Sequence, residues 1–179
     1  MKKKILFLLL FVSYSFFAQD KYLTKTGTLI FEASVPSFEE VKAKNETTTA
    51  IINTKNGEFA ALALVKGFRF KNALMEEHFN ENYAESEKYP KAIFKGKIKD
   101  FNFSDLKASY KYSGELTFHG ESKTIENQTL SLNYVDGVIT ISGELTVSVN
   151  DFKIDIPNIV KNKVSENVKV EFEFKMKKK

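Results

Sequence analysis

Apolar and polar residues alternate along most of this chain. From Val168 to Met176 the apolar set Val168, Val170, Phe172, Phe174 and Met176 alternates with Lys169, Glu171, Glu173 and Lys175. A period of two puts one set on each face of a β-strand, so this segment is half-buried. The segment Ala108–Phe118 repeats the pattern, with Tyr110, Tyr112, Leu116 and Phe118 on one side. Ile139, Ile141, Leu145, Val147 and Val149 do so further along, as do Leu130, Leu132 and Tyr134. Near the N-terminus, Leu29, Phe31, Ala33 and Val35 alternate with Thr28, Ile30, Glu32 and Ser34. Asn56-Gly57 and Asp136-Gly137 separate such runs, and both dipeptides favour two-residue hairpin turns. Many short strands, tight turns and one apolar face per strand predict an antiparallel all-β domain, closed as a barrel or stacked as a sandwich.

Two segments break the alternation. Leu74, Met75, His78, Phe79 and Tyr83 are spaced for one side of a helix over 72–83, and Pro157–Lys163 suits a short helical turn. Gly96, Gly114 and Gly143 fall on the apolar parity of their strands. A strand glycine marks a bend or a close approach, so these three either curve a barrel or leave room for a ligand.

The N-terminus adds a different signal. Met1-Lys2-Lys3-Lys4 precedes an apolar run from Ile5 that ends by Phe17, followed by Ala18. This order predicts a signal peptide over 1–18, cleaved before Gln19, leaving one domain over 19–179 in the periplasm or secreted. The run is too short to span a bilayer, which needs roughly 20 apolar residues. No later run is longer, so no integral membrane span is expected. Cysteine is absent, so neither a lipoprotein anchor nor a disulfide is available. Removing Lys2, Lys3 and Lys4 leaves acidic and basic residues nearly balanced. A nucleic-acid surface wants clustered excess positive charge, and only the tail Lys175, Lys177, Lys178, Lys179 is so enriched.

Candidate chemistry is sparse. There is no cysteine nucleophile, no G-x-S-x-G elbow and no glycine-rich phosphate loop. His78 and His119 are the only histidines, and they lack zinc-ligand spacing. Glu76-Glu77-His78 are adjacent, so on a helix they point in different directions. A binding protein without metal or cofactor is expected, not an enzyme, and both histidines are expected to hold connections through hydrogen bonds. The sequons Asn45-Glu46-Thr47 and Asn127-Gln128-Thr129 are short enough to arise by chance. Arg69 is the only arginine and stands between Phe68 and Phe70. Its fork of donors suits an anionic head group; an outward strand position explains it equally well. The aromatic content is high, with 17 Phe and 7 Tyr but no Trp, which fits a bulky core or a lined cavity.

Three blocks resemble one known family. The first runs from Leu74-Met75-Glu76-Glu77-His78-Phe79 to Tyr83, then Tyr89-Pro90 and Phe94-Lys95-Gly96. The second is Gly114-Glu115-Leu116-Thr117-Phe118-His119-Gly120 with Ser122-Lys123, and the third is Asp151-Phe152-Lys153-Ile154 with Pro157. Their residues and order resemble the YceI-like family. The resemblance implies an extended lipocalin-like β-barrel of about eight antiparallel strands, with an elongated apolar interior and a short helical insert near residues 72–83. It also implies a polyisoprenoid or other long-chain amphiphile as the partner. A self-filled structural or stress-related barrel without ligand is the alternative, and a homodimer is left open. On strand parity, the walls of a ligand cavity would be Phe94, Ile98, Tyr110, Tyr112, Leu116, Phe118, Ile141, Leu145, Val147, Val170, Phe172 and Phe174. Phe68, Phe70, Phe79 and Phe152 would lie near its ends, with Arg69 as a head-group contact.

Overall fold

The computed structural model describes residues 20–179; the expected signal peptide lies outside them. The alternating segments form the strands β1 (Lys21–Ser34), β2 (Lys42–Asn53), β3 (Glu58–Leu64), β5 (Lys91–Ile98), β6 (Ser109–Phe118), β7 (Glu121–Val135), β8 (Val138–Ser148) and β9 (Val164–Lys178). A two-residue strand, β4 (Arg69–Phe70), pairs with Ala43 and Lys44 of β2. The eight long strands run in the order β1-β9-β8-β7-β6-β5-β3-β2, and β1 pairs back to β2. Every pairing is antiparallel, so the sheet closes into an eight-stranded barrel. Closure leaves the apolar faces only one place to go, the interior.

The pairing is incomplete at one place. β7 bonds to β8 only between Leu130–Val135 and Val138–Gly143. Residues 121–129 of β7 and 144–148 of β8 therefore leave a slit. A 3-10 turn, Val149–Phe152, sits against it. Lys123 bridges to Asp151 at 2.8 Å and Lys153 to Glu121 at 2.7 Å.

Of the two expected hairpin turns, one needs correction. Asp136-Gly137 does form a two-residue hairpin, with both φ angles positive (51° and 76°). Asn56-Gly57 does not: the connection spans 54–57, and only Gly57 has positive φ. The second tight hairpin is His119-Gly120, with φ of 50° and 78°, joining Phe118 to its partner Glu121. The helical insert spans the expected segment, but not as one regular α-helix. α1 covers Ala73–His78, and the chain then widens into one π turn over Phe79–Tyr83. Asn72 caps α1 by accepting from the backbone N–H groups of Leu74 and Met75. The short helical turn expected over Pro157–Lys163 is a pair of hydrogen-bonded turns, Val160 N to Pro157 O and Lys163 N to Val160 O.

β1 also departs from a simple alternation. Tyr22 and Thr24 point inward, and so do Gly27 and Leu29, because the register slips between Thr24 and Leu29. Asn45 of β2 stands opposite that slip, fully buried. It donates to Leu64 O at 3.0 Å and accepts from the backbone N–H and hydroxyl of Thr47 and the hydroxyl of Thr48. The sequon at Asn45 is thus a buried polar pin in the sheet, with no exposed amide to modify.

Candidate functional site

The barrel interior divides into two halves of different character. In the half toward the Asp136-Gly137 hairpin, aromatic rings fill the space. Phe59, Phe94 and Tyr112 pack with centroids 5.2–5.7 Å apart, Tyr112 meets Phe172 at 6.2 Å, and Phe172 stacks on Phe174 at 5.4 Å. Below them Tyr22, Phe103 and Tyr134 close that end.

The glycines make this filling possible. A Cβ built on Gly96 or Gly114 would stand within 2.6 Å of the Phe94 ring, and one on Gly143 would stand 2.8 Å from Phe172. Each glycine is a socket for a ring of the protein itself. The reading that they leave room for a ligand is therefore overturned; the missing side chains let Phe94 and Phe172 lie flat against the sheet.

The other half holds a cavity of about 570 Å³. Leu29, Phe31 and Ala33 of β1, Leu116 and Phe118 of β6, Val147 of β8 and Val168 and Val170 of β9 form its walls. Phe31 gathers Phe68, Phe70 and Phe79 around it at 5.1–5.6 Å, so one wall is a cluster of four rings. Phe118 and Phe152 pair edge-on, 5.8 Å apart, as a second aromatic contact in the lining. The rim comes from the β1–β2 turn (Phe38, Glu39), from α1 (Asn72, Leu74, Met75, His78) and from the segment before β9 (Ile156, Val160, Lys163). Glu39, Asn72, His78 and Lys163 supply polar groups there. An apolar interior with a few polar groups at the edge is the usual build of a site for an amphiphile.

Of the residues expected to line a cavity, Phe68, Phe70, Phe79, Leu116, Phe118, Val147, Phe152 and Val170 border this one. Phe94, Ile98, Tyr110, Tyr112, Ile141, Leu145, Phe172 and Phe174 do not; they belong to the main packed core or lie against it. Parity turned them inward, but the rings at their level leave no open space. Arg69 is not in the lining either. Its guanidinium donates to Glu76 Oε1 at 3.0 Å and to the carbonyls of Lys66 and Phe68. Glu76 Oε2 accepts from the backbone N–H of Phe70 at 3.1 Å. This pair hangs α1 on β4. Also in the lining but outside that expected set are Leu29, Phe31 and Ala33 of β1, Ala92 of β5 and Val168 of β9, together with residues on irregular segments: Phe38, Val41, Ile154, Ile156, Val160 and Lys163. Alternation marked Leu29, Phe31, Ala33 and Val168 as lying on the apolar faces of their strands; the loop residues carry no such period.

The histidines behave differently from each other. His119 is mostly buried, with Nδ1 2.9 Å from Phe152 O and Nε2 2.9 Å from Glu85 Oε2. Tyr89 packs edge-on against its ring at 4.6 Å. His78 lines the cavity rim and its side chain makes no hydrogen bond among the described residues, which corrects the expectation that its ring fixes a connection. Tyr112 and Asn80 each bury a polar side-chain atom without a partner among the described residues. Tyr112 is 1% exposed. Burial pushes its pKa up to about 12.

Tyr89, His119 and Phe152 come from the three distinctive sequence blocks and meet around the His119 ring, and Phe152 also lines the cavity. The YceI-like domain model matches residues 21–176. The chain belongs to the YceI-like family. A search of curated proteins found no match. Among solved structures, a polyisoprenoid binding domain from Saccharophagus degradans, implicated in plant cell wall breakdown, superposes with a TM-score of 0.76 at 16% identity, covering 90% of this chain and 99% of that one. BcnA of Burkholderia cenocepacia gives 0.69 at 15% identity over 82% and 94%. A Campylobacter jejuni YCEI protein gives 0.60 at 18% over 79% and 88%. At these identities the likeness is one of fold, and it is the closed barrel described above.

Proposed function

We propose that this YceI-like barrel is an exported carrier that holds an isoprenoid or similar long-chain amphiphile with its tail in the cavity. The observation that carries this reading is the cavity itself: an apolar space of about 570 Å³ with polar groups at its rim. Burying one methylene contributes ~0.8 kcal/mol, so an isoprene unit contributes up to roughly 4 kcal/mol before ordering costs. No buried polar anchor is needed. A polar head would meet Asn72, His78 and Lys163, since Arg69 is occupied by Glu76. That the Saccharophagus degradans neighbour is described as a polyisoprenoid binding domain agrees with the reading.

Purified protein extracted with organic solvent should release a stoichiometric lipid, identified by mass spectrometry. Delipidated protein should then bind a fluorescent long-chain probe. Lipid-free protein that also fails to bind the probe would favour the second reading, a self-filled interaction barrel. The ring-filled half of the interior is the observation behind that alternative. Export rests on the basic, apolar, small-residue order of residues 1–18. Intact mass of extracytoplasmic material should correspond to a chain starting near Gln19, and a chain still beginning at Met1 would count against it.

A further inference from the structure

We infer that the cavity admits about 15–20 carbons of hydrocarbon tail, and that Phe94, Leu145 and Phe172 set this limit. The inference rests on the carrier reading and concerns which tail fits. A methylene occupies about the room of a liquid water, ~30 Å³, so 570 Å³ takes on the order of twenty carbon-sized groups.

The floor is built from three strands. On β5, Ala92 lines the cavity and the next inward residue is Phe94; on β8, Val147 lines it and Leu145 follows; on β9, Val170 lines it and Phe172 follows. None of the three following residues borders the space; the Phe94 and Phe172 rings pack closely over the strand glycines. Tyr112 and Phe59 pack behind them. A longer tail has no route past these rings, and its further units stay outside in water. The tail class is accordingly a terpenoid of three or four isoprene units or a fatty chain of equal length.

The test is a length series of prenyl alcohols, from about two to about nine isoprene units, competing with a fluorescent long-chain probe on delipidated protein. Affinity should rise at least tenfold per unit up to three or four units and change less than threefold per unit beyond. In Phe172→Ala the plateau should move at least one unit longer. Leu145→Ala serves the same purpose should the first variant fail to fold, as judged by its denaturation midpoint. Affinity that keeps rising to nine units in the wild type would overturn the limit while leaving the carrier reading intact. A plateau unmoved in both folded variants would overturn the assignment of the floor. Absence of binding at every length would overturn the carrier reading and the limit with it.

Discussion

The Nδ1–H of His119 donates to the carbonyl oxygen of Phe152 at 2.9 Å. The two residues are far apart in sequence, and the bond ties the β6–β7 hairpin to the turn that covers the slit. Nε2 meets Glu85 on the segment after the helical insert. His119→Ala would leave the Phe152 carbonyl unpartnered and should cost about 1–3 kcal/mol. Urea denaturation measures it. A loss below ~0.5 kcal/mol would mean the bond is structurally idle.

Tyr112 offers the opposite case. Its hydroxyl is buried without a partner, so Tyr112→Phe removes a desolvated group and keeps the ring. Stability should hold or rise by about 1 kcal/mol. The pH dependence follows from the same burial, which raises the pKa to about 12. The folded state holds the phenol proton more tightly than the unfolded chain does. Below pH ~10 both states are protonated and the difference contributes nothing. Between that value and about 12 the unfolded chain gives up its proton first, so stability falls as pH rises, by up to ~1.4 kcal/mol per pH unit. Comparing alkaline denaturation of wild type and Tyr112→Phe isolates this share; identical alkaline slopes would refute it.

Cavity and socket positions should respond oppositely to enlargement. Ala92 faces open space, so Ala92→Phe should abolish binding of a long-chain probe with little change in denaturation midpoint. Gly114→Leu meets Gly96 Cα and the Phe94 ring, each at 2.6 Å from its Cβ. It should destabilise by at least ~1–3 kcal/mol as overpacking. Equal stability for the two variants would contradict the division of the interior into a packed and an open half.

Glu76 holds α1 to β4 through Arg69 and the Phe70 backbone. Glu76→Ala should cost about 1 kcal/mol, because the Phe70 N–H loses its acceptor. Amide exchange of Phe70 and of α1 should speed up, while that of β8 and β9 stays unchanged. Unaltered exchange at Phe70 would show that the carboxylate is dispensable.

Strand identity was legible wherever one face meets the core and the other meets water, as in β9 and β8. It faded in β2, where buried Asn45 and Thr48 read as surface residues, and in β1, where the slip at Gly27 shifts the inward parity. For the site, parity reports which way a side chain points, not its height along the barrel. Leu116 and Tyr112 share a face of β6, yet one borders the cavity and the other the plug. That difference depends on rings from β3, β5 and β9 meeting over glycines, a relation set by register between strands. The loop residues Ile156, Val160 and Lys163 carry no periodicity at all, so only the folded chain brings them to the rim.

The slit between β7 and β8 divides the protein's hydrogen-exchange behaviour into two clocks. From Leu130 to Leu132, β7 is laddered on both sides, and its amides must wait for a large cooperative opening before they take up deuterium. From Glu121 to Thr129 it is laddered only to β6, so the amides turned toward the slit have side-chain bridges beside them in place of a strand. Those positions should label within the time of local breathing. A single strand would then show fast and slow isotopic uptake along its length, with the change falling where the ladder to β8 begins.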